Sequence, residues 1–211
     1  MYVVFLLSFF SIPLFAQIPN PGFENWTGGA PDGWFTNNET GFNFVTQSNT
    51  SNSGSFAARG EVLDLGGFGF GPILATGNTS GSIIGFPVSQ KHQELSGYFQ
   101  FSPNATGLLQ ISVTMGFATA SDTIPVGTGA FTSTSTVNSY TQFSAPIFYQ
   151  PGTQDPNWAL ITIQIFGTGG IPPVGASMLI DDLSFQGTVR IEDEQQELVV
   201  KDYVLEQNYP N

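Results

Sequence analysis

The acids of this chain that could do chemistry stand near its two ends. Glu24 belongs to Asn20-Pro-Gly-Phe-Glu-Asn-Trp26, followed by Pro31-Asp-Gly-Trp34, while Asp181 and Asp182 belong to Met178-Leu-Ile-Asp-Asp-Leu-Ser-Phe185. The first stretch reads as a tight turn feeding a strand, and the second as a strand with two acids among apolar residues. Strict alternation puts Asp181 on the face of Leu179, Leu183 and Phe185, which would be the core face. A carboxylate turned inward costs on the order of several kcal/mol unless it is paired, hydrogen-bonded or metal-bound. Arg59 and Lys91 are the only cations between residues 17 and 188, so ion-pair partners are scarce. Two answers stay open: hydrogen bonds from backbone amides or the Trp34 indole, or a calcium ion bound through hard oxygen ligands.

Other chemistries find little support. There is no cysteine and one histidine, which leaves zinc and thiol catalysis without ligands or nucleophile. His92 lies between Lys91 and Glu94 in what reads as a solvated strand entrance, and no Gly-x-Ser-x-Gly elbow accompanies it. Gly66-Gly-Phe-Gly-Phe-Gly-Pro72 fails as a phosphate loop because Pro72 occupies the third glycine position; it reads as a flexible loop or irregular edge strand. Glu24, Glu61, Asp64 and Glu94 could be paired in space as a glycosidase couple, yet their spacing gives no sign of it. The expectation is a protein that is not an enzyme.

The elements that must carry these residues are strands. Turn signals recur at Asn20-Pro-Gly22, Pro31-Asp-Gly33, Gly77-Asn78, Pro103-Asn104, Pro151-Gly152 and Gly169-Gly170, and no amphipathic helix separates them. The chain is 9% charged against roughly 25% in ordinary soluble domains, with 20 Phe to fill a core. The pattern predicts an all-β fold, an antiparallel β-sandwich. The best strands are 95–102, 108–117, 140–149, 158–166 and 177–186. In three of them one face is apolar: Leu95, Phe99 and Phe101; Leu109, Ile111, Val113 and Met115; Ala159, Ile161, Ile163 and Ile165. The opposite faces hold Tyr98 and Gln100; Gln110, Ser112 and Thr114; Trp158 and Gln164. If these strands are neighbours, the polar faces form one platform of amides, hydroxyls and two large aromatics. Trp26 and Trp34, by contrast, are expected to pack.

At the ends the composition shifts. Residues 1–16 carry an apolar run too short to span a bilayer and suited to a signal peptide cleaved after Ala16, although no Lys or Arg precedes it. Nothing else predicts an integral membrane segment. Residues 17–188 form the domain, and 189–202 an acidic linker. With a net charge of −12 and no basic stripe, nucleic acid is not an expected partner.

Taken together, the two end motifs are similar to those of the jelly-roll carbohydrate-binding modules. They resemble more closely the presumed carbohydrate metabolism domain of surface proteins from Bacteroidetes-like bacteria. Leu95-Ser-Gly-Tyr-Phe-Gln-Phe-Ser-Pro103, Tyr140–Tyr149 and Asp155-Pro-Asn-Trp-Ala-Leu-Ile161 look like further strands of that family. The resemblance implies a jelly-roll topology and a structural calcium held by Glu24 and Asp181, with Asp182 as the alternate. Tyr203-Val-Leu-Glu-Gln-Asn-Tyr-Pro-Asn211 resembles the truncated start of the carboxy-terminal sorting domain of the type IX secretion system, which implies export by that machinery to the cell surface or medium.

The leading expectation is a secreted, noncatalytic carbohydrate-binding module. It would hold a polysaccharide across Tyr98, Gln100, Gln110, Ser112, Thr114, Trp158 and Gln164. A structural or adhesive module contacting protein is the alternative, and a glycoside hydrolase the third.

Overall fold

A computed structural model describes residues 18–78 and 82–189. The signal-peptide segment, the sorting stretch and the linker beyond residue 189 lie outside the described residues. No helix occurs among those described, so none is long and apolar enough to cross a membrane.

Sixteen strands follow one another among the described residues. The short early ones are β1 Trp26–Thr27, β2 Ala30–Pro31, β3 Trp34–Thr36, β4 Val45–Ser48, β5 Ala57–Glu61, β6 Leu63–Leu65, β7 Phe68–Phe70, β8 Ile73–Asn78, β9 Ser82–Ile83 and β10 Phe86–Pro87. The long ones are β11 His92–Ser102, β12 Gly107–Ala118, β13 Thr123–Ser133, β14 Val137–Tyr149, β15 Trp158–Gly167 and β16 Ser177–Thr188. Neighbouring strands run in the order β3-β8-β15-β12-β13-β14-β11-β16-β5-β4, all antiparallel. β14 belongs to both layers: residues 147–149 pair with β13, and residues 137–146 with β11. The ribbon thus folds over along β14 into an antiparallel sandwich, and the apolar faces of the two layers close on each other.

The core follows from alternation. Leu95, Phe99 and Phe101 of β11 meet Leu109, Ile111, Val113 and Met115 of β12 and Ala159, Ile161, Ile163 and Ile165 of β15, all buried. β13 was not legible in the sequence, because Pro125, Gly127 and Gly129 mimic turn chemistry. Those glycines answer to the fold-over instead. A Cβ at Gly127 would lie 2.6 Å from the Tyr149 ring, and one at Gly129 2.5 Å from the Pro146 carbonyl. β14 comes that close where it changes layers.

β16 departs from the expected alternation. The register with β11 slips between Ser96 and Tyr98, leaving Asp182 in a bulge at φ 50. Met178, Ile180 and Leu183 therefore point into the core, while Leu179 and Asp181 lie outward with Gln100 and Tyr98. Asp181 does not occupy the core face. The first strand is likewise not a ladder partner of the last; contact comes earlier, where the Leu183 amide donates to the Pro21 carbonyl at 2.9 Å.

Candidate functional site

The structure divides the seven expected binding residues between two surfaces. β11 lies in one layer and β12 and β15 in the other, because the chain crosses between layers at Pro103–Thr106. Asn104 and Ala105 there adopt φ 42 and 76. Tyr98 and Gln100 consequently face out from the β14-β11-β16-β5-β4 layer. Gln110, Ser112, Thr114, Trp158 and Gln164 face out from the opposite one. The single platform is two, since adjacency in sequence becomes separation across the sandwich.

On the second surface the five residues stand in register. Gln110 is paired with Gln164, Ser112 with Thr162, Thr114 with Leu160, and Gly116 with Trp158. Ser112 Oγ donates to the Thr162 carbonyl at 3.4 Å. The amides of Gln110 and Gln164 make no hydrogen bond to the described residues. Their donors and acceptors remain available to a ligand.

Trp158 is half-buried. A Cβ at Gly116, on one flanking strand, would come within 2.6 Å of its Cε3, and one at Gly85, on the other flank, would strike its Nε1 and Cε2. Both long edges of the indole thus rest on glycine backbone, and the ring lies across the sheet instead of standing off it. Phe148, 75% exposed on β14, shares this surface through its pairing with Thr128, itself opposite Thr114. The alternation of Phe143, Ala145 and Ile147 inward could have revealed it.

The first surface is closed by a loop. Asp181 is fully buried, beneath residues 52–53. Its Oδ2 accepts from the amides of Asn52 at 2.7 Å and Ser53 at 3.2 Å, and its Oδ1 from Asp182 N at 2.8 Å. Asp182 accepts from Asn52 Nδ2 and Ser53 Oγ, each at 2.7 Å. Glu24 takes two amides farther along the loop, Ser55 at 2.9 Å and Phe56 at 3.1 Å. The Tyr140 hydroxyl donates to the Thr50 carbonyl at 2.8 Å, with its own pKa raised chiefly by burial. Burial also raises the Asp181 carboxyl above the ordinary aspartate value, partly offset by the amides of Asn52 and Ser53.

These three acids are the ones to which the family resemblance assigns calcium. Every donor onto them among the described residues is neutral, and Arg59 pairs with Glu61 at 2.8 Å instead, so their charge suits a hard cation. Their geometry does not yet: among the described residues no three acidic side chains gather as a ligand set, and N–H groups take the oxygens. Trp34 does not serve Asp181. Its buried indole donates to the Pro19 carbonyl at 2.8 Å and packs on Phe23, while Trp26 Nε1 donates to the Phe23 carbonyl at 2.6 Å. Both tryptophans pack, as expected.

Asp64 and Glu94, the other acids weighed as a catalytic couple, are also engaged. Asp64 accepts from Gly67 N at 2.7 Å within the β6–β7 turn, and Glu94 accepts from the Ser144 hydroxyl. His92 overturns its solvated reading. It is buried, stacked on Phe185 at 4.4 Å and 7°, and its Nε2 has no hydrogen-bond partner among the described residues. Burial lowers its pKa.

No protein-family model matches this chain, and no curated protein matches it in sequence. Solved structures do share its fold. A presumed glycoside hydrolase of Bacteroides thetaiotaomicron superposes with a TM-score of 0.61 at 12% identity, over 80% of this chain and 71% of its own. Another from Bacteroides vulgatus gives 0.54 at 14% identity, over 68% and 77%. TmCBM61, solved with β-1,4-galactotriose, gives 0.49 at 14% identity, over 81% and 97%. What this chain shares with the two Bacteroides proteins is the antiparallel β-sandwich.

Proposed function

We propose that the domain is a noncatalytic module that holds a neutral polysaccharide on the outer face of the β3-β8-β15-β12-β13-β14 layer. One observation carries this reading: Trp158 lies across Gly85 and Gly116 at one end of a row of uncharged polar side chains, of which Gln110 and Gln164 keep their amides open. A ring laid on backbone presents a flat apolar face, which matches the apolar face of a pyranose. The Gln110–Gln164 pair, Ser112 and Thr114 then meet the sugar hydroxyls. Tyr98 and Gln100 drop out of this site, being on the other surface. Two proteins of the same fold are named as presumed glycoside hydrolases; the noncatalytic reading here draws on Glu24, Glu61, Asp64 and Glu94, each of which is held by a structural partner.

The proposal includes export through residues 1–16 and the type IX machinery, and a structural calcium near Glu24, Asp181 and Asp182. The ion would neutralise acids that meet only neutral donors among the described residues. The rival adhesive reading draws on Phe148, an aromatic that is 75% exposed on the same face. Affinity electrophoresis in gels containing neutral polysaccharides tests the choice. Retention by wild type that weakens in Trp158→Ala supports a glycan site. Retention unchanged by that substitution rejects this face, and release of reducing ends rejects the noncatalytic reading.

A further inference from the structure

The outward set of β15 does not end at Gln164. Phe166 continues it, and beyond stands a groove of about 400 Å³ walled by the β6–β7 hairpin and residues 170–172. Phe68, Phe70, Phe166 and Ile171 line it at 58%, 49%, 37% and 58% exposure, together with Gln164. Large apolar side chains clustered in water mark an interaction surface.

The groove has a built frame. β7 runs so close to its neighbours that a Cβ at Gly69 would strike the Pro172 carbonyl, and one at Gly71 the Ile165 carbonyl. Gly66 and Gly67, at φ 70 and 89, turn the hairpin as two successive left-handed residues must. Walls seated on backbone need little ordering when a ligand arrives.

Trp158 and Phe166 lie on one face of one strand, about 26 Å apart at roughly 3.3 Å per residue. Leu160, Thr162 and Gln164 continue that face between them. The geometry points to one occupant for both ends: a neutral glycan several sugar rings long, running along β15, with one ring on Trp158 and another in the Phe68–Phe70–Phe166 groove. This rests on the carbohydrate reading above and adds the ligand's length and direction. A polymer of one ring type offers an apolar ring face at each station and hydroxyls to the amides between. Among the described residues no Asp, Glu, Lys or Arg lines the groove, which suits an uncharged chain. A peptide segment would be served by the groove alone and gains nothing from continuity with Trp158.

The test applies the full chain to gels of β-1,4-galactan, xylan, laminarin and mannan, then titrates oligosaccharides of increasing length from whichever polymer is retained. Affinity should climb about tenfold or more between the trisaccharide and the length spanning both stations, then level off. Phe68→Ala with Phe70→Ala should abolish the climb and leave short oligosaccharides unaffected. Phe68→Tyr with Phe70→Tyr should keep it, and so should Phe148→Ala. Affinity independent of length, or a climb lost in Phe148→Ala instead, overturns the inference and leaves the carbohydrate reading standing. Retention by none of the four polymers overturns both. An unchanged melting temperature in the double alanine variant ensures that the loss reflects the groove.

Discussion

The two outer surfaces of this sandwich treat polar groups in opposite ways. On the β11–β16 side, Asp181, Asp182 and Glu24 are matched donor for acceptor by residues 52–56, and the loop they hold shuts out water. On the β12–β15 side, Gln110 and Gln164 keep their amides open, and an indole is laid beside them. A buried carboxylate without partners would cost too much to persist, so its partners come from the fold itself. An exposed amide is satisfied by water and can exchange it for a ligand. The difference separates a structural clasp from a binding face, although both are built from polar side chains.

The largest break in that comparison should come from Asp181→Ala. Three backbone amides, those of Asn52, Ser53 and Asp182, would lose their acceptor beneath the loop. At about 1–3 kcal/mol for each group left unsatisfied, less what water entering the space recovers, the loss should be about 3–5 kcal/mol. For a domain of this size that is roughly 6–20 °C in melting temperature. Calorimetry checks it, and a change near zero would mean that the loop does not depend on the carboxylate.

Calcium comes next. If the ion is held near Glu24, Asp181 and Asp182, chelation should lower the melting temperature and added calcium restore it, by about 2.7 kcal/mol with the ion at 100 times its dissociation constant. A flat response would leave the amides as the whole of the clasp. On the open side, Trp158→Ala should weaken glycan retention about tenfold or more while moving the melting temperature less than Asp181→Ala does. A fall in stability as large as that of Asp181→Ala would make Trp158 part of the framework.

Legibility in the sequence followed the same division. Strands with unbroken alternation, such as Leu109–Met115 and Ala159–Ile165, declared both their core and their outward faces. Asp181 was recognised as an acid in need of partners, and the amide donors were among the answers kept open. Its face was misjudged because the bulge at Asp182 breaks the alternation that would link Asp181 to Leu183 and Phe185, and local pattern carries no signal for a bulge. The platform was halved for another reason. Outward faces can be read strand by strand, but which strands share a layer depends on the crossing at Pro103–Thr106. The Phe68–Phe70 groove was hidden inside a glycine run that resembles a loop.

The smallest effect concerns a buried polar atom of His92. His92 Nε2 has no partner among the described residues, and its ring is stacked against Phe185. The Tyr149 hydroxyl, pushed up to about 12 by burial, bonds the His92 backbone and does not titrate near neutrality. Burial lowers the His92 pKa below the ordinary value of 6.5, against a backbone hydrogen bond at Gly187 that raises it. Protonation then favours the unfolded chain, which binds the proton more tightly. The contribution to stability is full above about pH 6.5 and is lost as pH falls toward the folded-state value. Asp181 works in the opposite sense. Its raised carboxyl favours the folded state below the ordinary value of 3.8, and that advantage is lost as pH rises through the folded-state value. The melting temperature of wild type minus that of His92→Phe therefore isolates the histidine, since Asp181 is common to both. That difference should decline as pH is taken from 7 to 5, and a constant difference would mean that His92 finds solvent or a partner on protonation.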